Sequence, residues 1–297
     1  MPTPSILVAT WDNGLFSVTG KMVHQELANQ SVRSLVADGR RRVQWTAIAR
    51  SEFELSCCVP IGNFVFVGSD DAHILRVDPD GAQQCLTGFD AVAGRDRRYA
   101  GAAIIDGKRM GPPLGIRSMA ATCDGGVLLV NVHVGGVPES TDAGLTWRPA
   151  IDIDSDVHHF YAHPTRPDIV IAAAAGLCIS RDAGATWTIE QQGLHAHHCS
   201  AVAFGRNDIF VAASTDPFAT QGAVYRRPID SNGPLQPLSG GMPQWIDGIA
   251  DTNRIATRDS MAAVIDRAGC LYVSHDDGAT WSCAFDRLTV PSGLHIC

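Results

Sequence analysis

One eight-residue pattern occurs three times in this chain and constrains its fold more than any other feature. The pattern is S-x-D-x-G-x-T-W, and its copies span residues 140–147, 180–187 and 274–281. The aspartate can accept hydrogen bonds from backbone N–H groups of its own loop, and the glycine permits a positive φ, so each copy is expected to form a tight turn. The tryptophan then covers the apolar base of the hairpin. A turn repeated in this way predicts a repeat architecture.

Short apolar segments surround each copy and define the repeating unit. A strand that starts at glycine precedes each copy (GGVPES, GLCIS and GCLYVS), and another strand precedes that one (GVLLVNVHV, DIVIAAAA and MAAVIDR). Long helical periodicity is absent, and 29 glycines and 16 prolines separate short strands throughout. Four short strands in a unit of roughly 40–50 residues are typical of a β-propeller blade.

The three copies match at all five fixed positions and resemble the Asp-box, or bacterial neuraminidase repeat, of sialidases, sortilin-type receptors and photosystem assembly propellers. The resemblance implies a β-propeller whose boxes lie between the third and fourth strands of a blade, on the face away from the active site, with a structural role. It does not imply sialidase activity, because the early F/Y-R-x-P motif of sialidases is approached only by GIRS, residues 115–118, which lacks the proline.

Segments without the pattern bring the expected number of blades to six. Residues 6–18, 63–77 and 208–227 each read as a second strand, a turn and a third strand. The C-terminal PSGLHIC reads as an innermost strand, so the two chain ends are expected to share one blade. The sequence therefore predicts an all-β protein: one β-propeller domain over residues 1–297, with six four-stranded blades, or seven if residues 32–49 form a unit of their own.

Composition and charge restrict the partners and the compartment. A formal net charge of −8 argues against a nucleic-acid partner, because phosphate binding requires a basic surface. No apolar run approaches the roughly 18 residues of a membrane span, so no membrane contact is expected, and the N-terminus lacks the basic start of a signal peptide. Nine cysteines without a C-x-x-C pair indicate reduced thiols and a cytoplasmic protein.

Eight of the eleven histidines fall in segments that a propeller places at its pocket mouth: the turns between second and third strands, and the starts of first strands. His158 follows Trp147 by eleven residues, and His198 follows Trp187 by the same number. Two neighbouring blades therefore present histidine at the same expected position. His133 lies near the end of the adjacent second strand.

Three imidazoles from neighbouring blades suit a transition metal such as zinc, copper or iron, although a single histidine at such a position is more often a hydrogen-bonded strand-end residue than a ligand. His133, His158 and His198 are the predicted metal ligands. Arg117 is predicted to bind a carboxylate, or else to pair with Asp70 or Asp71. The residues predicted for catalysis are His159, Arg117 and Asp70, and those predicted to line the substrate pocket are Trp11, Asp12, His73, His197, Trp245 and His295.

An insertion at residues 88–114 is expected to lie over the pocket, where its arginines either meet an anionic ligand or keep the loop soluble. Two classes of function fit these features. The first is a metal-dependent enzyme, a hydrolase, lyase or oxidase, acting on a small acidic molecule. The alternative is a non-catalytic propeller that binds a protein or peptide on the same face. A binder of an anionic sugar and a sialidase-like glycosidase are weaker alternatives, since no pair of glutamates is expected at the pocket.

Overall fold

The computed structural model of the chain describes residues 4–36, 45, 47, 50–95, 103–105, 108–110, 115–132, 135–151, 155–288 and 290–297. Within these residues the chain consists of short strands and a single four-residue helix, α1 (Thr87–Asp90). Six sheets each contain a path of four hydrogen-bonded strands. The all-β propeller predicted from the sequence is thereby confirmed, with six blades.

The chain divides into two compact units. Unit 1 comprises residues 1–35, 172–178 and 189–297, and unit 2 comprises residues 36–171 and 179–188. The alternative of a seventh blade at residues 32–49 falls mostly outside the described residues. None of the described residues forms a helix long and apolar enough to cross a membrane.

One sheet of unit 1 contains both ends of the chain. Its strands, in the order β27-β1-β2-β3, are β1 (Ile6–Thr10), β2 (Leu15–Thr19), β3 (Met22–Leu27) and β27 (Pro291–Ile296). The C-terminal strand runs antiparallel to β1, with Ile6 opposite Ile296. The predicted sharing of one blade by the two chain ends is confirmed.

Two further sheets of unit 1 follow the same plan. The first contains β18 (His198–Phe204), β19 (Asp208–Ser214), β20 (Gln221–Pro228) and β21 (Gln236–Pro237), with the short β22 (Ile246–Asp247) added to β20. The second contains β23 (Ile255–Arg258), β24 (Met261–Ile265), β25 (Leu271–Ser274) and β26 (Ser282–Phe285). Their buried Ala, Val and Ile side chains form a common core around Phe210 and Trp281.

Unit 2 contains two complete sheets and a small hairpin. The first sheet contains β4 (Leu55–Ile61), β5 (Phe64–Ser69), β6 (Ile74–Val77) and β7 (Gln83–Cys85), and helix α1 follows it. The hairpin pairs β8 (Ala103–Ile105) with β9 (Lys108–Met110). The second sheet contains β10 (Ile116–Ala121), β11 (Leu128–Val132), β12 (Val137–Ser140) and β13 (Arg148–Ile151).

The sixth sheet of the described residues contains β14 (His159–Ala162), β15 (Val170–Ala174), β16 (Gly176–Ser180) and β17 (Thr188–Glu190).

The three S-x-D-x-G-x-T-W turns join the third strand of a sheet to the fourth and share one hydrogen-bond pattern. In the first turn, Asp142 Oδ1 accepts bonds from the Thr146 amide at 2.9 Å and from the Ser140 hydroxyl at 2.8 Å. The indole nitrogen of Trp147 donates to the Gly144 carbonyl at 2.9 Å. The same bonds recur around Asp182 and Asp276. The predicted self-bonded turn is therefore present in all three copies.

Each of these turns contains two consecutive residues with positive φ. The glycine was expected, and Gly144 has φ of 86°. The residue before it, Ala143, also has a positive φ of 57°, and Ala183 and Asp277 repeat this in the other copies. A left-handed non-glycine residue costs roughly 1 kcal/mol, so the aspartate-centred bonds offset a real backbone cost. A Cβ on Gly144 would lie 2.5 Å from Leu86 Cδ1, which gives a second reason for glycine there.

Acid is expected to weaken these turns. Hydrogen bonds from the threonine side chain, the threonine amide and the serine hydroxyl lower the pKa of Asp142 and of Asp276 to about 2, and the pKa of Asp182 is lowered by the same threonine bonds. The unfolded value is about 3.9. Since a depressed native pKa stabilises the fold above the unfolded pKa, this stabilisation is lost as the pH falls from about 4 towards 2.

A triple variant, Asp142→Ala, Asp182→Ala and Asp276→Ala, tests this expectation. Its urea midpoint should lie well below that of the wild type at pH 6, and the difference should shrink steadily towards pH 2. Asp80→Ala is the control, since Asp80 is exposed and accepts one bond, from the Ala82 amide. A difference that does not change with pH would show that the carboxylate charge contributes nothing to the turn.

Candidate functional site

In unit 2, three first strands of sheets meet near their starts. Ser56 of β4 donates its hydroxyl to the carbonyl of Ile116 in β10. The amide of Phe160 in β14 donates to Ser118 Oγ of β10 at 3.2 Å. These contacts hold β10 between β4 and β14 and bring the residues at their starts together.

Arg117 occupies a β-bulge at the start of β10. Ile116 pairs with Val132, and Ser118 pairs with Asn131, so Arg117 has no partner position on β11. The same shift of register leaves one serine without an opposite residue in three other first strands: Ser56 in β4, Ser200 in β18 and Ser292 in β27. Each of these serines donates its hydroxyl to a backbone carbonyl. A bulge changes the direction of the side chain at that position. In β10 this side chain is the half-buried guanidinium of Arg117, whereas the three other first strands have a serine that bonds a backbone carbonyl.

His158 lies immediately before β14 and is 4% exposed. Its Nε2 is 3.1 Å from Oδ1 of Asp156, a half-exposed carboxylate. A carboxylate bonded to one imidazole nitrogen fixes the orientation of the ring, and this arrangement is common both for metal-binding and for proton-transferring histidines.

Asn131 in β11 is fully buried and contacts the backbone of the residue before this histidine. Its Nδ2 donates to the carbonyl of Val157, the residue before His158, at 2.7 Å. Among the described residues, none donates a hydrogen bond to its Oδ1. A buried acceptor without a partner costs about 1–3 kcal/mol, so this oxygen is placed to receive a cation or a donor group of a ligand.

Of the predicted catalytic residues, His159 is the first residue of β14 and is buried, with its ring 6.1 Å from that of Tyr161. Burial raises the pKa of Tyr161, which keeps its hydroxyl protonated at neutral pH. Asp70 lies in the β5–β6 turn, where its amide donates to the Glu54 carbonyl beside the start of β4. Arg117, His159 and Asp70 therefore all lie at strand ends of unit 2.

Of the three predicted metal ligands, His158 belongs to the region just described. His133 lies outside the described residues. His198 is the first residue of β18 in unit 1, is half-buried and pairs with Ser214. The three-histidine centre stays a prediction.

The predicted pocket residues fall into several separate groups. Trp11 and Asp12 are exposed in the β1–β2 turn, with the Arg33 guanidinium 5.3 Å from the Trp11 ring. His295 lies near the end of β27 and pairs with Leu7, whereas Pro291 at the start of β27 pairs with Thr10, next to Trp11. The assignment of His295 to a pocket mouth shared with that turn stays a prediction. Burial and Arg258 lower the pKa of His295.

Trp245 packs on His195 in unit 1, with ring centroids 4.8 Å apart, and the Tyr225 hydroxyl lies 2.7 Å from His195 Nδ1. Burial lowers the pKa of His195. His197, two residues later, is exposed. His73, in the β5–β6 turn of unit 2, contacts Asp90 of helix α1, which belongs to the insertion at residues 88–114.

Asn131 and Asp156 are not among the residues predicted from the sequence, although the sequence carries a signal for Asn131. Asn131 is the only polar residue in the strand segment LLVNV, whose other side chains are apolar and buried. A lone amide in such a strand must be satisfied by an internal partner or a ligand. Asp156 gives no such signal, because it lies in an irregular polar link.

The sheets and this cluster of polar side chains define a β-propeller with a candidate ligand site at the starts of its first strands. No protein-family model and no curated protein sequence matches the chain. Among solved structures, it is similar to a GH74 enzyme of Niastella koreensis, with a TM-score of 0.52 and 12% identity over 98% of this chain. It is similar to an ancestral GH74 enzyme, with a TM-score of 0.55, 11% identity and 98% coverage.

A third similar structure is the GH74 xyloglucanase from Xanthomonas campestris, with a TM-score of 0.50, 14% identity and 94% of this chain covered. The chain spans 43%, 36% and 43% of these three enzymes, respectively, which is less than half of each. At such low identity the likeness supports the β-propeller fold alone.

Proposed function

We propose that this protein is a metal-dependent enzyme that acts on a small acidic molecule at the starts of β10 and β14. The observation that carries the proposal is the fully buried, unpartnered carbonyl oxygen of Asn131, which is bonded through its amide to the residue before His158. An imidazole nitrogen together with an amide oxygen is a donor set that can hold a divalent transition metal.

His158 would hold the ion, with Asp156 orienting its ring, and Asn131 Oδ1 would supply an oxygen ligand. His133 and His198 stay ligands predicted from the sequence alone. When bound, such an ion supplies Lewis-acid polarisation of a substrate oxygen. Arg117, raised out of the β10 ladder by its bulge, would bind the substrate carboxylate, and His159 or Asp70 would move the proton.

We further infer that the three S-x-D-x-G-x-T-W turns are Asp-boxes of the bacterial neuraminidase repeat. Their common position between third and fourth strands and their common hydrogen bonds support this. Their role in the proposal is to hold the sheet ends together, since every polar group of the pattern is engaged within the turn.

Arg117→Leu tests the anion-binding part of the proposal. Metal-loaded protein is heated with and without a panel of small mono- and dicarboxylates. A bound carboxylate at 100 times its Kd adds about 2.7 kcal/mol to the unfolding free energy and raises Tm. We expect this rise in the wild type, a loss of it in Arg117→Leu, and no loss in Arg181→Leu, which changes an exposed arginine of a box turn.

The same experiment separates the enzyme from the alternative of a protein-binding propeller. A rise in Tm that needs both the metal and Arg117 supports the proposal. A carboxylate effect that is equal in chelator-treated protein, or unchanged in Arg117→Leu, would contradict it and would favour a binding face without a metal.

A further inference from the structure

Three side chains with metal-ligating atoms converge in unit 2 outside the site proposed above. They are His73 in the β5–β6 turn, Cys85 at the end of β7 and Asp90 at the end of α1, and one ligand atom from each lies within 4.8 Å of the other two. The three residues come from successive segments of one sheet and its following helix.

Each of these residues keeps ligating capacity. His73 Nδ1 contacts Asp90 Oδ1 at 2.9 Å, while Oδ2 of Asp90 and Nε2 of His73 make no hydrogen bond with the described residues. Cys85 is a free thiol on the exposed edge strand of its sheet. One imidazole, one thiolate and one carboxylate form a ligand set typical of zinc.

The surroundings hold the ligands in place. The Phe53 ring packs against the His73 ring, with centroids 4.7 Å apart. Arg95 donates to the carbonyls of Ala72 and Asp71 and lies 3.5 Å from Asp90 Oδ1. The ion pair of Arg95 is with Oδ1 of Asp90, so Oδ2 is left for an ion while the guanidinium holds the carboxylate from outside.

We infer that His73, Cys85 and Asp90 form a second metal site, for an ion of the zinc class, that ties the β5–β6 turn to the segment after β7. Tetrahedral coordination requires ligand atoms roughly 3.3–3.7 Å apart, which rotamer changes of partly exposed side chains can reach from the observed separations. On binding, the Cys85 thiol releases its proton to solvent. Three protein ligands leave the fourth position open to solvent, as in catalytic rather than structural zinc sites.

Cobalt(II) titration of the full-length, untagged, metal-stripped protein tests this inference. Thiolate coordination gives cobalt a charge-transfer band in the near ultraviolet, and the site proposed at His158 contains no sulfur ligand, so the band reports this site alone. We expect it in the wild type and in Cys123→Ser, which changes another exposed cysteine. We expect no band in Cys85→Ser and an affinity at least about 100-fold weaker in His73→Gln, since outer partners alone are worth 10–100-fold.

Two results would overturn the inference: no band in the wild type, or a band that persists in Cys85→Ser. Zinc protection of Cys85 against iodoacetamide, located by peptide mass mapping, provides a readout that needs no variant. Alkylation of Cys85 at the same rate with and without zinc would also refute the site, whatever the folding of the variants.

Discussion

Trp281→Ala is expected to lower the free energy of unfolding by about 3–5 kcal/mol, the range for truncating a large core aromatic. Trp281 is 6% exposed and packs with Phe210, Met242 and Ile246 in the core of unit 1. Its backbone amide donates to the Gly240 carbonyl at 2.7 Å, and its indole nitrogen donates to the Gly278 carbonyl at 3.0 Å. The substitution removes the ring and one of these bonds together.

The other tryptophans supply the controls. Trp187 occupies the same place in the second box but is only half-buried, so Trp187→Ala should cost less than Trp281→Ala. Trp245 is 38% exposed, and Trp245→Ala should stay within about 1 kcal/mol. Urea unfolding followed by circular dichroism measures all three. Equal losses of unfolding free energy in Trp281→Ala and Trp245→Ala would show that the tryptophan of the S-x-D-x-G-x-T-W turn does not stabilise the core.

Asn131→Leu is expected to weaken metal binding strongly while changing the stability of the fold very little. The substitution removes an unpartnered buried carbonyl, which is favourable, and a bond to the Val157 carbonyl, which is not, so the unfolding free energy should change by no more than about 1 kcal/mol. Metal affinity should fall by at least about 100-fold, more than the effect of removing an outer partner.

Asp156→Asn is expected to weaken metal binding less than Asn131→Leu does. It keeps an oxygen near His158 Nε2 but removes the charge, and it should weaken metal binding by about 10–100-fold. Calorimetric titration with zinc in the Cys85→Ser background, which lacks the thiolate site, measures both variants. A loss of 2 kcal/mol or more in Asn131→Leu with metal affinity unchanged would make Asn131 a purely structural residue.

The fold could be predicted because its determinants are local in the sequence. The aspartate, glycine and threonine that form each box turn lie within five residues of one another, and the strands around them are separated by turn residues. The left-handed Ala143 could not be predicted in the same way, because alanine rarely adopts that conformation unless neighbouring bonds impose it.

The site could be predicted only in part. His158 was assigned by counting from Trp147, and Arg117 was assigned because it opens an innermost strand; the roles of both stay predictions. The bulge that re-aims Arg117 leaves no trace in the pattern of apolar residues, and His73 and Asp90 meet only because α1 folds back after β7. His295 was assigned to the pocket mouth as an entry residue of an innermost strand, and in the structure it lies near the end of that strand, where it pairs with Leu7.

Metal content of untagged protein carrying Cys85→Ser tests the proposed centre most directly, because that background removes the thiolate site. The account predicts one transition-metal ion per chain by elemental analysis, and none when His158→Ala is added to a protein that still folds. The same metal content with and without His158, or none in either protein, would contradict a metal-dependent function at the start of β14.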